Sequence, residues 1–318
     1  MKVSFGVHFE PLFGFGYQTI ENVTLNAERA GYDSVWTCDH FFKDTASVDI
    51  NSLEAWTLLT ALGAKTSKLK LGVLVTCNSY RPPALLAKMA ATLDMVANGR
   101  LIFGIGAGWK RVEYEAYGYP FPSLRERMDR LEEALQVILK LWTEGRANFE
   151  GEYYRLKDAV FAPKPVQKPY PPILIGGHGE KRTLKLVAHY GNLSNFSPWA
   201  SERIPRLLKT LEDHCETVGR SYESITKTFL GYCFITDNQE EIKEFNKRRA
   251  REQGITLDQY EEKQSHLPGA WAGSIDDIRL QYEHLVGMGF SHFPVLFPYG
   301  KELGMSNEFA QQVVRKLR

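Results

Sequence analysis

Residues 69–96 read LKLGVLVTCNSYRPPALLAKMAATLDMV. The segment Leu69–Thr76 is mostly apolar, the pattern of a strand covered on both faces. Arg81-Pro82-Pro83 then breaks the run, and Pro83–Val96 carries apolar residues at helical spacing with its proline in the first turn. A buried strand, a short loop and a covering helix make one β/α unit of a parallel sheet.

The same unit recurs in both directions along the chain. Val3–Phe9 is followed by a helix over Thr19–Ala30, closed by Gly31 in a position suited to a left-handed cap. Ser34–Cys38 is followed by Leu53–Ala64. Arg100–Ile105 leads to Ser123–Thr143, where Ser123 and Glu126 stand at capping-box spacing. Pro172–Ile175 precedes Lys181–Tyr190, and Leu193–Phe196 precedes Ile204–Val218. Thr226–Ile235 precedes Asp276–Met288, and Phe293–Phe297 precedes Asn307–Leu317. Eight units in 318 residues predict an α/β fold, the (β/α)8 TIM barrel. An open doubly wound sheet is the alternative, but it rarely needs eight strands, and no GxGxxG follows the first one. Two connections exceed an ordinary loop. Residues 146–171, rich in proline and aromatics, suit a hairpin, and residues 237–273 are charged and partly helical. They read as insertions after strands 4 and 7 of a single domain spanning 1–318.

Composition narrows the function. Lys and Arg number 39 against 38 Asp and Glu, a net charge of +1, so neither nucleic acid nor a membrane surface is an expected partner. Cys38, Cys77, Cys215 and Cys233 lack any paired spacing and read as reduced thiols. The start MKVSFGVHFE has no signal-peptide pattern, and no apolar run approaches the ~20 residues of a membrane span. A cytoplasmic protein acting on a small molecule is expected. No metal site is expected either: His8-Phe9-Glu10 lacks the two alternating histidines of a barrel metallohydrolase, and the remaining histidines, His266 among them, are scattered. GxSxG is absent.

In a barrel, chemistry gathers where the strands end. Those ends hold His8 and Glu10, Asp39 and His40, Thr76–Asn78, Gly106–Gly108, Gly176–Gly179, Asn195 and Pro298. His40 is a candidate for proton transfer near neutral pH, with Asp39 beside it. The run Gly106-Ala107-Gly108 lets backbone approach a ligand. Gly176-Gly177-His178-Gly179, followed by Lys181 and Arg182 at a helix start, has the makings of an anion site that would suit a phosphate.

AERAGYDSVWTCDHF (27–41), LGVLVTCNSYRPPALLAKMAATLD (71–94), GRLIFGIGAGWKRVEYEAYGYPF (99–121) and PPILIGGHGEKRTLKLVAHYGN (171–192) together resemble the luciferase-like monooxygenase superfamily, within it the branch using the deazaflavin coenzyme F420. The resemblance implies a cofactor ring lying on Leu74, Val75 and Thr76, with a non-prolyl cis peptide at Leu74–Val75. It implies Asp39 at the ring edge, His40 as the proton-transfer group, and Gly106–Gly108 with Glu113 alongside the ring or its ribityl chain. The cofactor phosphate would fall at Gly176–Gly179, Lys181 and Arg182. The implied reaction is hydride transfer between the deazaflavin C5 and a small organic substrate. FMN with O₂, in a monooxygenase, is the alternative, and a homodimer the usual assembly. Phe13, Phe15, Phe41, Trp109 and Trp199 are available to line the pocket. One departure stands out: Trp109 occupies the place of a glutamate found in the sugar-phosphate dehydrogenase branch.

Overall fold

A computed structural model describes residues 2–265 and 269–318, so His266 lies outside the described residues. Eight parallel strands form one closed sheet: β1 Ser4–Phe9, β2 Ser34–Thr37, β3 Lys70–Val73, β4 Leu101–Gly106, β5 Ile173–Gly176, β6 Leu193–Phe196, β7 Thr226–Phe229 and β8 His292–Leu296. Each pairs with its sequence neighbour, and β1 pairs back with β8 from Ser4↔His292 to His8↔Leu296. The TIM barrel predicted from the repeat is the observed fold.

Strand alternation divides the core into two layers. Phe5, Leu71, Phe103, Ile175 and Phe293 point out against the helices, within the main hydrophobic cluster. Trp36, Ile102, Leu174 and Leu193 fill the barrel interior, with Leu74 and Val75 packed on them. Trp36 takes its space from Gly72: a Cβ there would lie 2.3 Å from the indole ring. The indole N–H is satisfied inside the barrel by Ser34 Oγ at 2.8 Å.

Helix Pro83–Val96 runs over the predicted residues. Helix Leu124–Thr143 starts on Ser123, whose hydroxyl accepts from the Glu126 N–H. The insertion at 146–171 holds an antiparallel hairpin, Arg146–Glu150 with Arg155–Val160. The insertion at 237–273 carries helices Gln239–Gln253 and Leu257–Ser265. No helix among the described residues is long and apolar enough to cross a membrane.

Four elements differ from the sequence expectation. The run Leu69–Thr76 is not one strand: β3 stops at Val73, the Leu74–Val75 peptide is cis as the resemblance implied, and pairing resumes at Thr76–Cys77. Apolar character alone cannot reveal such a bulge. The seventh run breaks after Phe229, and its last piece, Phe234–Ile235, leaves the barrel to pair with Ala272–Gly273. A six-residue helix, Arg111–Ala116, is too short to show a period. The closing helix begins at Glu302 rather than Asn307.

Candidate active site

The strand ends enclose a cavity of about 370 Å³ at the C-terminal mouth. Leu74, Val75 and Thr76 line it from the third strand, and Gly106, Ala107, Gly108 and Trp109 from the fourth. Gly176, Gly177, His178 and Thr183 contribute from the fifth, Asn195 and Ser197 from the sixth, and Leu230 from the seventh. Asp39 and His40 line it from the second. Leu124 and Met128 reach in from the long helix, and Tyr80 and Lys110 complete the wall.

The glycines at the ends of β4 and β5 have a more local cause than a ligand. Added Cβ atoms at Gly106 and Gly176 would each come within 2.8 Å of a Val75 methyl carbon. These glycines are flattened against the bulge, which pushes Val75 into the space their side chains would fill.

His40 is held by a buried carboxylate. Its Nδ1 lies 2.9 Å from Glu113 Oε2, and Glu113 is 0% exposed. The same carboxylate accepts from the Phe41 N–H at 2.9 Å, the Tyr80 hydroxyl at 2.8 Å and Lys110 Nζ at 3.1 Å. Burial alone would raise the Glu113 carboxyl, but the bonds from His40, Tyr80 and Lys110 outweigh it and hold it down at about 2. An ionised carboxylate only accepts, so Nδ1 of His40 carries the hydrogen and Nε2 is the ring's other nitrogen, directed away from Glu113. Trp109 meets the imidazole edge-on at 5.6 Å.

Asp39 is committed to Arg81. The guanidinium donates to both carboxylate oxygens, at 2.7 and 2.8 Å, and the Cys77 N–H adds a third bond at 2.9 Å. Arg81 also bonds Glu54, which caps helix Ala55–Lys65. Asp39 thereby ties the loop after the bulge to the second strand.

Several predicted residues lie elsewhere. Glu113 has no surface in the cavity: the Arg111–Ala116 helix buries it behind His40, so its place is under the imidazole rather than along a ligand. Lys181, Arg182 and Gly179 do not line the cavity either. Arg182 pairs with Asp129 at 2.6 Å and Glu132 at 3.4 Å on the long helix, and the helix after β5 starts at Thr183, not Lys181. Its charge is therefore already neutralised. Phe41 stacks between Tyr80 and Tyr117 outside the cavity, Phe13 and Phe15 line a smaller recess, and Trp199 lies against Trp109. His8 is buried beneath the mouth, where burial, then His40, lowers it to about 3. His178 is lowered to about 4, first by burial and then by Arg203.

Sequence reading missed Arg81, Tyr80, Lys110, Leu124 and Met128. Arg81 left one usable sign: an aspartate at a buried strand end requires a cationic partner, and SYRPP supplies one at the next strand end.

Residues 6–289 match the luciferase-like monooxygenase family. An F420-dependent glucose-6-phosphate dehydrogenase of Kineococcus radiotolerans is 36% identical over 210 residues, which cover 66% of this chain and 61% of that protein. An FMNH2-dependent dimethylsulfone monooxygenase of Pseudomonas putida is 36% identical over 152 residues, covering 48% and 41%. The chain thus spans less than two thirds of the length of either relative. Among solved structures, an F420-dependent secondary alcohol dehydrogenase in complex with an F420–acetone adduct superposes over 100% of both chains, with a TM-score of 0.85 at 21% identity. That likeness is one of fold. The family match covers most of the chain, which belongs to the luciferase-like monooxygenase family.

Proposed function

From membership of this family, we propose that the chain is an F420-dependent oxidoreductase in which His40 moves the proton that accompanies hydride transfer. The observation that carries the reading is the Glu113–His40 pair, which fixes the imidazole tautomer at the wall of a cavity with an apolar floor.

The residues fit a flat polar ring. Leu74 and Val75 offer an apolar face, and Thr76 Oγ1 is buried there without a hydrogen-bond partner. Leu74, Val75, Thr76, Gly106, Ala107 and Gly108 would hold the ring. Gly176, Gly177, His178 and Thr183 would take its phosphate, with backbone N–H groups rather than Arg182 providing the contacts. A bound deazaflavin supplies a hydride donor or acceptor at C5. The protein's share is proton handling and exclusion of water. In the oxidising direction, His40 Nε2 accepts the substrate hydroxyl proton while Glu113 stabilises the imidazolium through Nδ1–H. The reducing direction reverses the same transfer. Asp39 positions the floor through Arg81 and Cys77 and does not titrate in this scheme.

Reduced FMN with O₂ is the second reading, favoured by the 36% identity to the dimethylsulfone monooxygenase. Parallel titration with F420 and reduced FMN separates the two. The expected result is a change in F420 fluorescence on binding with weak or no uptake of FMN; tight FMN binding with no response from F420 overturns the proposal. We also read the protein as a cytoplasmic homodimer. Leu85 and Val96, 52% and 42% exposed, lie three turns apart on one face of helix Pro83–Val96 and support a covered surface there.

A further inference from the structure

The cavity beside His40 takes its walls from β2 to β6 and from Leu230 just past β7. The remaining arc of the mouth, at the ends of β7, β8 and β1, holds a separate recess of about 50 Å³, room for a single carboxylate- or phosphate-sized group. Tyr232 and Phe245 wall it on one side and Phe13, Phe15 and Tyr299 on the other, and Arg248 and Arg249 reach it from helix Gln239–Gln253. Leu230, on the wall of the first hollow, and Tyr232, on the wall of the second, stand two residues apart just past the end of β7.

Arg249 is the buried cation of this recess. It is 6% exposed, its guanidinium sits 4.5 Å from the Tyr232 ring centre, and Nη1 pairs with Glu252 at 2.8 Å. Its Nε–H is buried without an acceptor. Glu252 already offsets part of the Arg249 charge, but a buried guanidinium donor left unpaired is costly unless an acceptor, such as a carboxylate or phosphate oxygen, supplies the missing bond. Glu10, at the end of β1, feels the charges of both Arg249 and His40, and burial raises its carboxyl.

We propose that the Arg249 recess binds an anionic group, carboxylate or phosphate, of the substrate whose reactive carbon lies at His40. The inference rests on the reading of His40 as the proton-transfer group and adds the substrate class: a small organic acid or phosphate ester long enough to cross the mouth from the second strand to the eighth.

The test is equilibrium binding of inorganic phosphate and of acetate to the F420-loaded protein, followed by calorimetry, with the cofactor in place so that its own phosphate site is filled. One or both probes should bind, and Arg249→Gln should weaken that binding at least tenfold while F420 affinity stays unchanged. Arg249→Lys, which keeps the charge and loses the planar fork, should fall between, and it covers the case in which Arg249→Gln does not fold. Preference for acetate marks a carboxylate substrate and preference for phosphate a phosphate ester. Binding of neither probe, or equal binding by wild type and both variants, overturns the proposal. F420 titration on the same samples reports separately on the cofactor reading.

Discussion

Two histidines mark the two ends of this barrel, and they are built alike on one side of the ring and unlike on the other. At the mouth, His40 Nδ1–H donates to Glu113 and Nε2 is left for the cavity. At the floor, His292 is wedged between Ser4 and Ser34, the first residues of β1 and β2. Ser4 Oγ gives its one hydrogen to the Ser291 carbonyl at 3.0 Å, so it accepts from His292 Nδ1–H at 2.7 Å. Ser34 Oγ accepts from Trp36 and gives its hydrogen to His292 Nε2 at 3.2 Å. Both rings are therefore Nδ1–H tautomers. The difference lies in the partners: an ionised carboxylate and an open Nε2 at the mouth, hydroxyls on both nitrogens at the floor. The mouth leaves one ring nitrogen open while a carboxylate holds the other, and the floor has both ring nitrogens taken up by hydroxyls.

The largest effect expected from that contrast is catalytic. His40→Ala should lower kcat by roughly 10²–10⁴, the usual worth of a positioned proton-transfer group. F420 affinity should be unchanged. His292→Asn should leave kcat near wild type. Equal losses in the two variants, measured under saturating cofactor, would show that the ends of the barrel are not functionally distinct.

The next effect is on stability against acid. Burial, then Lys70, lowers His292 from 6.5 to about 4. Between those values the unfolded chain binds the proton and the native chain does not. Stability from this group is thus complete above pH 6.5 and falls as the pH drops toward 4, by up to about 1.4 kcal/mol per pH unit. Urea unfolding of wild type and His292→Asn across pH 4–7 checks this. The variant should be less stable at neutral pH but show the shallower acid slope, and parallel slopes would remove His292 from the acid response.

The two ends also differ in how much of them a sequence discloses. Barrel strands repeat, so the scaffold is legible, and the strand ends Asp39-His40 and Gly176-Gly177 fall where the repeat places them. The partners of those residues are not legible, because they come from elements far away in the chain or too short to show a period. Arg182 reads as an anion ligand until Asp129 and Glu132, fifty or so residues earlier, are found against it. The glycines read as room for a ligand, whereas much of that room belongs to Val75. Glu113 sits on a six-residue helix and lies behind His40 rather than beside a cofactor ring. Similarity located the residue, and only packing could show what it touches.

Glu113 therefore gives the smallest of these effects and the sharpest test of the mouth. Glu113→Gln keeps the size of the side chain and its capacity to accept from Nδ1–H, but it removes the charge that opposes an imidazolium. Residues that orient a functional group in this way cost roughly 10–100-fold when changed. A kcat loss in that range with KM and F420 affinity intact is expected, along with partial appearance of the Nε2–H tautomer of His40 in nitrogen-15 NMR spectra. A merely structural carboxylate would lower the melting temperature without moving the tautomer signals. Because the glutamine amide can present either oxygen or nitrogen to the ring, the tautomer ratio reads whether the obligatory acceptor at Nδ1 has been lost, and an unchanged ratio with full turnover would detach Glu113 from His40's function.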